Sequence, residues 1–271
     1  MVSEELYRNI YNVPDPDNEY AELLYARGYL ISDEPYVVKS DWASMSFGEG
    51  LCITYDNRCE VAYVVRDKTW VLILGTVMDT IENHMDAERV AAKIAEKYAA
   101  GEDELYDYID YLGGRHIIVY GQGEQAYLLQ DATGMRSACY HRERLLVASH
   151  YNIIQNIVHA ERSEFVKTYC EMENRPWLLP GNTTPYEDIM ILMPNHRLSL
   201  TSLQMKRFFP RKPHLHVDVN EAMDYIADCC ARQMEVLSQN RKLMFSITKG
   251  NDARITLAST KGKTDDHVLY T

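Results

Sequence analysis

Along the middle of the chain, apolar and polar residues alternate in short runs. Leu51–Tyr55, Cys59–Val65 and Thr69–Leu74 are β-branched or aromatic segments separated by Asp56-Asn57 and Asp67-Lys68, which predicts strands joined by tight turns. The period then lengthens. Over Asp86–Ala100, Val90, Ala91, Ile94, Ala95 and Tyr98 fall on one helical face, and Gly101 supplies the stop. Glu104–Leu112 predicts a second, shorter helix closed by Gly113-Gly114. Alternation returns in His116–Tyr120, Gln125–Gln130, Ser137–His141 and Leu145–Ser149, a four-strand meander turning at Gly121–Glu124, Ala132–Gly134 and Arg142–Arg144. Tyr151–His159 and Glu164–Met172 read as helices, and Leu198–Leu200 with Met205–Phe208 as an antiparallel pair. Ahead of all this, Met1–Asp41 is rich in Asp, Glu, Pro and Tyr, with short helices expected at Glu4–Tyr11 and Asn18–Arg27 across the Pro14–Asp17 break.

The texture changes again after Pro210–Val217, a linker. A helix is predicted over Val219–Gln239 with Asp218 as its N-cap and a buried stripe of Ala222, Met223, Ile226, Cys229, Cys230 and Leu237. Leu243, Met244, Phe245 and Ile247 read as a strand, Thr248–Asp252 as a loop, and Arg254–Ser259 as the first turns of a helix. A strand, a small polar loop and a helix N-terminus make an anion cradle, because unbonded N–H groups and the positive end of the helix dipole face the loop. Lys249 adds a point charge. The simpler reading is a strand–turn–helix corner with Gly250 at a positive φ. The pattern divides the chain into an extension over 1–50, a β-rich domain over 51–210 and an incomplete α/β unit over 211–271, an α+β protein taken as a whole.

Composition narrows the function classes. With 271 residues, 46% hydrophobic and 25% charged, the chain has the makeup of a globular protein with a real core. A net charge of −12 argues against a general nucleic-acid or anionic-membrane surface. Met1–Tyr20 lacks the apolar segment of a secretory signal, and no apolar run approaches the ~20 residues that span a bilayer. Six cysteines without a C-x-x-C pair suggest reduced thiols of a cytoplasmic protein and neither a disulfide framework nor a zinc site. Twenty tyrosines against five phenylalanines indicate many half-buried aromatic contacts. Other tempting residues take plainer readings. His214 and His216 lack a third ligand nearby and read as linker residues. Cys229-Cys230, with no basic neighbour expected beside them, sit at the edge of a helix core. Asp107, Asp110, Asp265 and Asp266 read as solvated.

Several short motifs in one order resemble the asparagine synthetase superfamily, which includes β-lactam synthetases. They are Leu72–Asp79, where that family has a strand ending in Asn-Gly; Asp86-Ala87-Glu88; Tyr111–His116; Asp131-Ala132-Thr133-Gly134-Met135-Arg136, resembling an Asp-x-x-Gly-x-Arg turn; Ala148-Ser149-His150; Pro194–Leu198; and Thr248–Arg254, where a Ser-Gly-Gly-x-Asp-Ser pyrophosphate loop belongs. The resemblance implies an Ntn-hydrolase (class II glutaminase)-like αββα sandwich followed by the beginning of an ATP-pyrophosphatase domain. It also implies ATP and Mg²⁺ as cofactors, with Thr248, Lys249, Gly250, Asn251, Asp252 and Arg254 at the phosphates. No protein-held metal site is expected. Such ligases adenylate a carboxylate, release pyrophosphate and let an amine displace AMP.

The departures from the pattern redirect the function. A glutaminase of this family attacks with an N-terminal cysteine whose own amine is the base. Here Val2 follows Met1, and only cleavage after Leu51 would expose a cysteine, Cys52. The oxyanion-hole asparagine falls at Leu74, which has no side-chain donor. In the loop, Lys249 replaces a glycine and Ala253 a serine, and the chain ends at Thr271 soon after it. Three readings follow. One is an asparagine-synthetase-like protein without glutaminase activity, related to AMP-forming carbon–nitrogen ligases and truncated or split, so that its partner is a missing synthetase half or a second copy. Another is an inert scaffold that keeps the fold and binds a partner. The weakest is a glutaminase self-processed at Cys52.

Overall fold

The computed structural model describes residues 23–173, 179–213, 216–261 and 268–270. Two antiparallel sheets of six strands each form its centre. The first sheet contains β1 (Tyr29–Ser32), β2 (Ala43–Phe47), β3 (Leu51–Tyr55), β8 (Cys139–His141), β9 (Leu146–Ala148) and β10 (Ile189–Ile191), in the order β10-β8-β9-β1-β3-β2. The second contains β4 (Val61–Arg66), β5 (Thr69–Asp79), β6 (Leu112–Gln122), β7 (Gln125–Gln130), β11 (His196–Ser199) and β12 (Met205–Arg207), in the order β12-β11-β7-β6-β5-β4. Two-residue turns close β4–β5 at Asp67-Lys68 and β6–β7 at Gly123-Glu124, pairing Arg66 with Thr69 and Gln122 with Gln125.

Strand parity explains the layering. On β5, Leu72 and Leu74 point into a core shared with Tyr29, Ile31 and Ile53 of the first sheet. Val71, Ile73 and Val77 point the other way, into a cluster with Val90, Ala91, Ile94 and Leu105. Strand β6 repeats this, with Ile117 and Val119 inward and Ile118 and Tyr120 outward. Strands buried on both faces need unbroken apolar runs, which is why TWVLILGTVMD barely alternates. The outward cluster is roofed by α1 (Ala87–Ala100) and α2 (Glu102–Ile109). On the far side of the first sheet, Leu30, Leu146 and Ala148 pack against Ile153 and Ile154 of α3 (Tyr151–Val158). The order is therefore helices, sheet, sheet, helix. Asp86 caps α1 through its side chain to the Arg89 N–H at 3.0 Å, and Gly101 ends it at φ 144°.

Several sequence expectations need correction. Residues 29–47 contribute β1 and β2, so the sandwich starts well inside the stretch read as an extension; β1 lies at the centre of its sheet between β9 and β3. The described part of the helix expected at Asn18–Arg27, from Leu23, is a turn with positive φ at Tyr25 and Arg27. The rest of that helix, Glu4–Tyr11, His214 and Asp265-Asp266 lie outside the described residues. Gly113-Gly114 do not stop a helix but belong to β6.

After α4 (Glu164–Glu173) and the β11–β12 pair comes α5 (Val219–Asn240), capped by Asp218 as expected. Its predicted apolar stripe is covered only in part: Ala222, Cys229, Cys230 and Leu237 are half-buried, but Met223 is 62% and Ile226 57% exposed, and Val236, outside that stripe, is the buried residue of the helix. Then β13 (Met244–Ser246), α6 (Asn251–Ser259) and β14 (Val268–Tyr270) form a small unit in which the two strands pair in parallel. Parallel neighbours require a crossover between them, here running through α6. Asp107 and Asp110 are not simply solvated; both carboxylates bind Arg211 of the linker, at 2.7 and 2.6 Å.

Candidate functional site

The anticipated loop residues gather at one place. β13 ends at Ser246, Ile247 donates its N–H to the Tyr270 carbonyl at 2.7 Å, and α6 starts behind Gly250 with no side-chain cap. Its leading N–H groups thus lack the capping partner that most helices acquire. Thr248, Lys249, Gly250, Asn251, Asp252 and Arg254 are all exposed around that terminus, and the Thr248 hydroxyl accepts the Gly250 N–H at 3.3 Å. Gly250 has φ −69°, so its role is not the positive-φ turn expected from the sequence. Asp252 in the first turn already places negative charge near the dipole's positive end, which competes with an anion there.

Cys52 is elsewhere. It lies within β3, paired by register with Ser32 on one side and Ser46 on the other, its sulfur 3.9 Å from the Ser46 hydroxyl. Leu74 is fully buried between the sheets and offers no donor to a site. Cys229 does have a basic neighbour, contrary to the expectation, because Arg232 one helical turn on donates to its sulfur at 3.5 Å.

A second constellation has no counterpart among the sequence expectations. Asp79, Glu82 and His84 bring their ligand atoms within 4.8 Å of one another. Their geometry is that of a self-tied loop. Asp79 accepts the N–H groups of Ile81 and Glu82 and the Tyr108 hydroxyl, while His84 Nδ1 accepts the Asp86 N–H at 3.2 Å. That bond leaves the proton of a neutral imidazole on Nε2, which lies 3.7 Å from the Glu82 carboxylate. A metal-binding imidazole instead donates from its second nitrogen.

The third place is a cleft at one end of the two sheets, lined by Ala26, Arg27, Arg58, Cys59, Glu60, Gly75, Thr76, Arg115 and Arg136, with a volume near 140 Å³. Gly75 lines it, and a second glycine, Gly114, directly precedes the lining residue Arg115 on β6. Gly75 has φ 104° and a Cβ there would sit 2.4 Å from the Arg115 carbonyl; Gly114 has φ 106° and its Cβ would meet the Thr76 carbonyl at 2.3 Å. The close approach of β5 and β6 therefore depends on both. Arg136 comes from the turn after Asp131, whose carboxylate accepts the N–H groups of Thr133, Met135 and Arg136 and holds the segment in place. Its guanidinium reaches the Cys59 sulfur at 3.1 Å. Burial pushes the Cys59 thiol up, with Arg136 pulling the other way. In the sequence, the Asp-x-x-Gly-x-Arg turn is the one visible sign of this cleft.

No protein-family model matches the chain, and no curated protein does. Among solved structures, the glutamine phosphoribosylpyrophosphate amidotransferase of B. subtilis, complexed with ADP and GMP, aligns with 90% of this chain at 12% identity and a TM-score of 0.37. This chain spans 59% of that one. Among the described residues no helix is long and apolar enough to cross a membrane.

Proposed function

We propose that this chain is an asparagine-synthetase-like protein that does not hydrolyse glutamine. In this reading its Ntn-hydrolase-type sandwich is joined to the start of an ATP-pyrophosphatase-type unit, with nucleotide phosphates held at Thr248–Arg254. The observation that carries the reading is the parallel β13–α6–β14 unit, with an uncapped helix N-terminus just past the end of β13. Phosphates fit such a terminus through its N–H groups and the adjacent Lys249. Mg²⁺ fits less well as a protein-held ion: among the described residues the one group of three ligand-type side chains is Asp79, Glu82 and His84, on the sandwich. The metal would arrive with the nucleotide, and ATP would supply the adenylyl group for carboxylate activation, with pyrophosphate as the leaving group. Leu74 and the placement of Cys52 inside a strand support the loss of glutaminase chemistry.

Calorimetry with ATP–Mg²⁺ and with pyrophosphate tests this. Saturable binding that falls at least tenfold in Lys249→Ala supports the reading, and no binding to the intact chain overturns it. A second reading, an interaction scaffold, is favoured by the uncovered apolar face of α5, where Met223, Tyr225 and Ile226 are each more than half exposed. A defined oligomer in light scattering that Ile226→Glu dissolves, with no nucleotide binding, would favour it.

A further inference from the structure

We propose that the arginine cleft is a second anion site, separate from the loop at 248–254, that takes a small phosphate group. In a chain of net charge −12, the cleft is lined by four arginines and a single glutamate. The internal carboxylates nearby are already used. Asp56 holds Arg58 through both oxygens, and Glu60 at the rim is paired with Arg241, the residue that ends α5.

Among the described residues no ion pair holds the guanidinium of Arg27, Arg115 or Arg136, and the cleft's own carboxylate, Glu60, is engaged by Arg241. Arg136 is the decisive one. It is 8% exposed, its Nε has no hydrogen-bond partner, and its one side-chain contact of this kind is a thiol. A buried charge without a counter-charge is costly unless something from solution pairs with it. Arg115 spends its Nε on the Met135 carbonyl, which orients the fork beside the cleft.

The cavity's size and charge set the ligand class. At about 140 Å³ it is small beside the roughly 300–1,000 Å³ of sites for drug-sized molecules, and so suits a group of a few atoms. Three guanidiniums from three separate segments exceed the charge of one carboxylate, and their planar forks match the oxygens of a phosphate dianion.

The test is calorimetry on the full chain at low ionic strength with inorganic phosphate, glycerol phosphate and glutamate, for the native sequence and for Arg115→Gln, Arg27→Gln, Arg136→Gln and Lys249→Ala. Expected is a saturable phosphate site that is weakened roughly tenfold or more in Arg115→Gln and in Arg136→Gln and unchanged in Lys249→Ala. Arg27 and Arg115 are exposed, so their variants keep the test valid if Arg136→Gln does not fold. The inorganic and esterified arms decide which source is taken, and binding of either supports the site. Absence of phosphate binding, retention in Arg115→Gln with loss in Lys249→Ala, or saturation by glutamate alone each overturns it. Because the nucleotide test reads Lys249 and this one reads Arg115, the two proposals fail separately.

Discussion

His116 should make the fold acid-sensitive in a window where carboxylates contribute little. The ring lies on β6 opposite Gly75, 1% exposed, and its Nδ1 has no partner among the described residues. Burial pulls its pKa from 6.5 down to about 4, against smaller opposite effects from Asp131 and the Thr76 backbone. Between those values the unfolded chain binds a proton at this position that the folded chain refuses. The unfolded state thus holds more protons, and stability rises with pH across the window. Above pH 6.5 both states are neutral and nothing is lost. On acidification to pH 4 the loss approaches about 3 kcal/mol, because each factor of ten in proton affinity is worth ~1.4 kcal/mol. His141 and His150 are shifted down by burial too and add to the same slope. Asp131, which burial raises but the N–H groups of Arg136 and Met135 hold below 3.8, loses its contribution at lower pH. Urea unfolding of the native chain and of His116→Gln at several pH values between 7 and 4 isolates the one ring. The native protein should lose about 3 kcal/mol more than the variant. Parallel pH profiles would refute the account.

Three further outcomes are expected from denaturant titrations. Gly75→Ala forces a side chain to φ 104° and against the Arg115 carbonyl at 2.4 Å, and should cost about 2 kcal/mol or more; an unchanged midpoint would contradict the tight pairing of β5 and β6 at this glycine. Tyr108→Phe removes the 2.7 Å bond to the buried Asp79 carboxylate and should cost about 1.5–3 kcal/mol, a loss that a merely surface tyrosine would not show. Ile226→Glu should change stability by no more than about 0.5 kcal/mol, since the residue is 57% exposed; a larger loss would mean that its face is covered in solution.

What the sequence makes legible follows from how much of each element's stability is local. α1 is announced by its apolar spacing, its Asp86 cap and its Gly101 stop, all within one short segment. β3 and β7 coincide with their predicted limits because turn residues bracket them. β10 and β14 are three-residue strands whose existence depends on a partner already in place, and nothing local marks them. β1 is hidden for the same reason: YLIS follows an acidic, Pro-rich segment, and its burial comes from β3 and β9 on its two flanks. For α5, periodicity specifies a face and says nothing of what covers it. The loop at 248–252 is legible because strand, loop and helix are contiguous. The arginine cleft is not, since its cations come from four separate segments that only the sheet topology brings together.

The ion pair between Arg241 and Glu60 links these two regions and yields a final test. Arg241 lies between α5 and β13, so the segment that leads into the loop also occupies the carboxylate at the cleft's rim. Without it, Glu60 would be left to attract the neighbouring guanidiniums and lower the positive field that an incoming anion meets. Both partners are about half exposed, so solvent screening keeps the effect small, within about 1 kcal/mol. Arg241→Ala should therefore weaken phosphate binding by at most about fivefold, although Arg241 is not among the residues lining the cleft. In the double variant Arg241→Ala with Glu60→Gln, most of that loss should return. Recovery distinguishes an electrostatic role for the pair from damage to the packing of α5, which neutralising Glu60 would not repair. If Arg241→Ala leaves affinity unchanged or raises it, the rim carboxylate does not control the cleft's charge.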